Sequence, residues 1–186
     1  YINRTGIPEA ARPVLLELAA SCNESSHLSI LDENEVLYID KVECSRPIRM
    51  MSYVGRKLPA YCTGTGKVFL AHLREEELKT FFRTVKMRRI TPKTLTDRES
   101  LRLELAKIRT QGYAVDWAEN EAEVVAVAAP VRDQTGEVVA AVSVAGPVYR
   151  ISREAMRESI VPEVVRAATM ISRRLGYGGS AQPFKP

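Results

Sequence analysis

Gly55-Arg56-Lys57-Leu58-Pro59-Ala60-Tyr61-Cys62-Thr63-Gly64-Thr65-Gly66-Lys67 leads from a strand end, through a loop punctuated by proline and glycine, into the apolar helical start Val68-Phe69-Leu70-Ala71. Such a passage reads as a binding loop. Gly64 and Gly66 permit positive φ and a close approach of ligand to backbone, and the unpaired N–H groups that open a helix favour a negative guest. A small anion fits these properties. A purely structural role, in which the glycines only turn the chain into a helix, stands beside that reading. A nucleotide P-loop does not. It needs an earlier glycine where Tyr61 stands and a magnesium-binding hydroxyl where Val68 stands.

Outward from the loop, the chain alternates helix and strand. Pro8 to Cys22 reads as a helix stopped by Asn23, with Pro13 marking a kink or a second start. His27 to Leu31 and Val36 to Val42 flank a polar turn suited to an antiparallel hairpin, and Ile48 to Val54 is a third strand candidate. Helices are expected at Gly66 to Leu73, Glu75 to Thr84 and Asp97 to Thr110. In the last of these, Thr96 and Glu99 have capping-box spacing and Gly112 supplies the C-terminal cap. Tyr113 to Trp117 opens the second half of the sheet. Val124 to Arg132 and Val138 to Ser143 form a second hairpin, apolar enough to be buried on both faces and therefore central. A final helix from Ser152 to about Leu175 carries a long apolar stripe, is kinked by Pro162 and ends at Gly176. The Gly- and Pro-containing tail from Tyr177 to Pro186 reads as disordered. This order of elements is that of an α/β, GAF-like or PAS-like domain, an antiparallel β-sheet flanked by α-helices.

Composition narrows the function classes. The 186 residues are 45% hydrophobic, enough for a real core, and no apolar run approaches the roughly 20 residues that span a bilayer. With no export signal in view, the chain is expected to be soluble and cytoplasmic, with no membrane partner. Cys22, Cys44 and Cys62 have no C-x-x-C spacing, and His27 and His72 lie far apart, so neither a disulfide framework nor a metal site is drawn and no cofactor is expected. The net charge of +4 is mild. Arg83, Lys86, Arg88, Arg89 and Lys93 cluster without interleaved aromatics, which favours a solvated face over nucleic-acid recognition.

Three segments together resemble the effector-binding domain of the IclR family of bacterial transcriptional regulators: the Leu58-Pro59 to Gly66-Lys67 loop, Ala129-Pro130-Val131-Arg132-Asp133, and Val142-Ser143-Val144-Ala145-Gly146-Pro147. The resemblance runs from Pro13 to the final helix. It implies a sensing module over residues 1–176 with a tail over 177–186. A winged helix-turn-helix head would contact operator DNA, and nothing before Tyr1 supplies one. It implies a small organic acid effector, hydroxylated or aromatic, control of a catabolic operon, and a homodimer or tetramer. Carried over onto this chain, the ligand pocket has Met50 and Leu58 as apolar wall, Gly64 and Thr65 as backbone donors, Asp116 as polar partner, and Val124, Ala126, Ser143 and Ala145 from the central strands. Ala126 and Ala145 replace thiol or hydroxyl groups of some members, which makes a roomier, more apolar pocket. Two rivals remain: an enzyme using Cys62 as nucleophile or redox centre, and a dimerisation module that binds nothing.

Overall fold

The structure, a computed structural model, describes residues 6–48 and 51–179. Six strands form one wholly antiparallel sheet, β1 (Ser25–Asp32), β2 (Glu35–Val42), β3 (Lys57–Pro59), β4 (Ala114–Trp117), β5 (Val124–Arg132) and β6 (Val138–Pro147), in the order β3-β2-β1-β6-β5-β4. Helix α1 (Ile7–Cys22) and the C-terminal helix α6 (Val161–Arg174) cover one face. Helix α2 (Gly64–His72), backed by α3 (Glu75–Thr84) and α4 (Arg98–Gln111), covers the other. Helices on both faces explain why β5 and β6 lack polar alternation: Val127, Val142 and Val144 face α1 and α6, while Ala128 and Ala141 face α2. The GAF/PAS-like architecture is present, with β1 and β6 at its centre.

Local signals act as the sequence implies. Asn23 ends α1 in the left-handed conformation and Gly112 does the same for α4. The first hairpin turns at Glu33-Asn34, and Gly136, at φ +87°, completes the turn of the second. Helix α1 runs on through Pro13. Pro162 is felt just upstream of itself: a short helical start, α5 (Arg153–Ala155), passes through a π-turn at Met156–Ile160 before α6 begins. A proline offers no N–H to the carbonyl one turn earlier and its ring crowds that group, so the chain widens.

Two expectations are corrected. Ile48 to Val54 is not a strand in its described residues, and the third strand is Lys57–Pro59 on the sheet edge, paired with Glu35–Leu37. The reason is burial: Ile48, Met51, Tyr53 and Val54 are exposed, whereas Leu58 in the shorter segment reaches the core. Side chains hold the intervening loop instead, Lys41 donating to the Ser52 carbonyl at 2.7 Å and Arg56 to that of Met51 at 2.9 Å. The cap of α4 is Asp97, whose carboxylate accepts the Ser100 amide at 2.8 Å, and not Thr96. Of the expected disordered tail, residues 180–186 lie outside the described part. Tyr177 donates its amide to the Ser172 carbonyl at 3.0 Å.

Candidate functional site

A short 3-10 turn, Ala60–Cys62, delivers the chain to Thr63, whose side chain caps α2 by accepting the Gly66 amide at 3.2 Å. Neither Gly64 nor Gly66 has positive φ; both are helical. Gly66 is needed for closeness instead, because a Cβ there would overlap the Ala60 backbone, whereas one on Gly64 would make ordinary contact with Ala128. With Gly66 N–H given to Thr63, the helix start offers Gly64 and Thr65 N–H as the two donors without an intrahelical acceptor.

These donors open onto a cavity on the α2 face of the sheet. Its floor is Val124, Ala126, Ser143 and Ala145 from β5 and β6; Asp116 of β4 closes one side, and Leu58, Tyr38, Ser52 and Arg56 close the other. Of the sequence-derived pocket, Leu58, Gly64, Thr65, Asp116, Val124, Ala126, Ser143 and Ala145 come together here, while Met50 lies outside the described residues. The enclosed space is about 30 Å³, room for a water or two, so an organic acid enters only if a wall shifts.

Seven polar members of this wall, His27, Tyr38, Ser52, Arg56, Thr63, Asn120 and Glu121, were absent from the sequence-derived pocket. His27 is fully buried on β1, with Nε2 2.7 Å from Ser52 Oγ and its ring stacked on Tyr38 at 4.8 Å between centroids. Burial, with Lys41 and Arg56 nearby, pushes its pKa down to about 3, so the imidazole is neutral. Burial likewise lifts the Tyr38 phenol to about 12. Arg56, half-buried, pairs with Glu121 at 2.8 Å, and both line the cavity. Asn120 completes the rim. The only sequence signal was the crowding of Arg56 beside the loop; a lone histidine on a strand carries none.

Asp116 is 4% exposed. Burial drives its carboxyl up to about 7, reinforced by the charge of Glu119 and opposed by the Glu119 amide, which it accepts at 2.8 Å, and by Lys67. The carboxyl is therefore not held ionised as that of an ordinary surface aspartate is. Lys67, which closes the loop motif, meets no anion in the cavity. It is wholly buried beneath, donating to the Val115 carbonyl at 2.7 Å and to Glu119 at 2.5 Å. The turn carrying Glu119 includes Ala118 at φ +60°, and Thr91 and Thr94 hold it by donating to the Ala118 and Glu119 carbonyls at 2.6 and 2.7 Å.

Cys62 does not act as the nucleophile of the enzymatic rival. It is buried, its thiol pushed up to about 12 by burial and by the Asp116 and Glu119 carboxylates, and its nearest side-chain acceptor is Asn120 at 3.6 Å. A wider hollow, of about 500 Å³, lies between the end of α1 and the α5–α6 segment. Two of its carboxylates are already paired, Glu24 with a bidentate Arg150 at 2.6 and 2.7 Å and Glu163 with Arg166 at 2.9 Å. Among the described residues no helix is long and apolar enough to cross a membrane.

Comparison with known proteins agrees with this architecture. The family described as "Bacterial transcriptional regulator IclR C-terminal" matches residues 1–173. The HTH-type transcriptional regulator BhcR of Paracoccus denitrificans (strain Pd 1222) is 36% identical over 178 residues, which are 96% of this chain and 62% of that protein. The chain thus spans about three fifths of that relative's length. The crystal structure of Thermotoga maritima IclR superposes with a TM-score of 0.88 at 38% identity, covering 94% of this chain and 70% of that one. The inducer-binding domain of PobR from Acinetobacter, solved as a double mutant in complex with 3-hydroxybenzoic acid, gives 0.83 at 27% identity, covering 89% and 97%. The family is one of regulators and not of enzymes, in keeping with the buried, protonated Cys62. The chain belongs to the IclR family of bacterial transcriptional regulators and corresponds to its C-terminal domain.

Proposed function

We propose that this domain senses a small organic acid, whose carboxylate docks on the Gly64 and Thr65 N–H groups at the start of α2. One observation carries the reading: the positive start of α2, where the Gly64 and Thr65 N–H groups have no intrahelical acceptor, borders a cavity that Arg56 also lines. The remainder of the site is Leu58, Asp116, Val124, Ala126, Ser143 and Ala145, with Met50 as a further apolar wall residue carried by the family resemblance. Asp116 stands opposite. Because it titrates near neutrality it accepts a ligand hydroxyl when ionised and lends its proton to a second carboxylate when not. That the PobR domain holds 3-hydroxybenzoic acid supports a hydroxylated or aromatic acid as the class of guest here.

In this reading residues 1–176 form the effector module of a cytoplasmic homodimeric or tetrameric regulator. A separate winged helix-turn-helix domain touches operator DNA and so controls a catabolic operon. Native mass spectrometry of the protein as purified, together with melting temperature against a panel of acids, tests it, since a guest bound only by the folded state raises the melting point by mass action. Retained acid, or a dose-dependent rise, is the expected outcome. A panel without any response favours the dimerisation module that binds nothing.

A further inference from the structure

We propose that His27 and Ser143 together form a hydroxyl-reading notch in the cavity wall, so that the site selects a hydroxylated acid over its deoxy counterpart. The inference rests on the anion-binding reading above and specifies which acids that site takes. His27 and Ser143 are directly opposed across the central β1–β6 pair. Residues facing each other on one side of such a pair have Cβ atoms roughly 5 Å apart. Both line the cavity. His27 Nδ1 is buried without a hydrogen-bond partner, and the Ser143 hydroxyl has none among the described residues.

An unmet polar atom at this depth carries a desolvation cost that a correctly placed ligand group recovers. The Nε2 atom is already engaged with Ser52. If Nε2 accepts from Ser52, Nδ1 is the N–H donor; if Nε2 donates, Nδ1 is the acceptor. A hydroxyl suits both cases, because it donates and accepts, and Ser143 can supply the complementary half. A carboxylate suits the notch less well, since it can only accept, whereas a hydroxyl meets either tautomer of His27. A methylene leaves Nδ1 unpaired. The wall around the notch, Val124, Ala126 and Ala145, contributes only apolar contact.

The test is calorimetry and melting temperature with paired acids that differ by one hydroxyl: lactate against propionate, glycerate against lactate, and 3-hydroxybenzoate against benzoate. Ser143→Ala removes a hydroxyl that the fold does not use. His27→Gln keeps an amide at the Nε2 position for Ser52 and has no polar atom at the Nδ1 position, whereas His27→Asn does the reverse. In at least one pair the unaltered chain should bind the hydroxylated acid about tenfold tighter. Ser143→Ala and His27→Gln should bring that ratio to within about threefold, and His27→Asn should keep most of it. Should His27→Gln fail to fold, Ser143→Ala decides alone. Equal binding of both members of every pair by the unaltered chain, or a tenfold preference that survives Ser143→Ala and His27→Gln, overturns the notch and leaves the anion site standing. A panel in which no acid binds overturns the anion site and the notch with it.

Discussion

Glu119 meets Lys67 2.5 Å away in a place where the lysine is wholly withdrawn from water, and the backbone amide of the same Glu119 holds Asp116. The ion pair therefore sits under the one carboxyl of the cavity wall that titrates near neutrality. The lysine of the loop motif acts as a foundation and not as a ligand hand.

Removing one partner from a buried pair strands the other. Lys67→Met should cost about 3–5 kcal/mol of folding stability, and pairing it with Glu119→Leu should recover much of that, because a matched apolar pair carries no desolvation cost. Urea unfolding of the two single variants and the double closes the cycle. Strict additivity would show that the pair is not coupled.

The two loop glycines should differ sharply. Gly66→Ala drives a methyl into the Ala60 backbone and is expected to cost at least the ~1–3 kcal/mol typical of overpacking, while Gly64→Ala makes only ordinary contacts, with the Ala128 methyl at 3.5 Å and the Ala126 carbonyl and Asp116 amide at 3.7 Å, and should fold normally. Melting temperatures of the two variants read this directly.

His27 and Asp116 impart pH dependence of opposite sign. The His27 pKa falls on folding from an ordinary 6.5 to about 3, so its contribution is present above pH 6.5 and lost as pH falls toward 3. That of Asp116 rises from 3.8 to about 7, so its contribution is present below pH 3.8 and lost as pH rises toward 7. Between about pH 4 and 6.5 the two oppose each other. Melting temperature should therefore climb with pH more steeply in Asp116→Asn than in the unaltered chain, and should fall with pH in His27→Gln. Parallel curves for all three would contradict the assignment.

Binding through Asp116 should depend on the guest. Asp116→Ala is expected to cost about 1.5–3 kcal/mol with a hydroxy acid whose hydroxyl reaches the ionised carboxylate, while leaving the fold intact. Unchanged affinity for the retained effector, measured by calorimetry, would make Asp116 a buried strand-end residue only.

The parts of this structure that rest on neighbouring residues were legible in the sequence: the α1 stop at Asn23, the α4 stop at Gly112 and both hairpin turns, while the kink expected at Pro162 takes the form of a widened turn before it. So were eight wall residues, because the family resemblance carried them. What depends on distant contacts was not. Ile48 to Val54 has strand composition but no face to bury. Gly66 serves closeness to Ala60, which φ preferences do not reveal. His27 becomes interesting only through its register with Ser143, a pairing that joins opposite ends of the chain.

The central claim is that a carboxylate sits on the first turn of α2. Amide NMR during titration with 3-hydroxybenzoate, or with whichever acid is retained on purification, tests it most directly. The account predicts that the Gly64 and Thr65 amides shift most, while the Gly66 amide, already given to the Thr63 hydroxyl, moves less. Saturation that leaves Gly64 and Thr65 unmoved would contradict it.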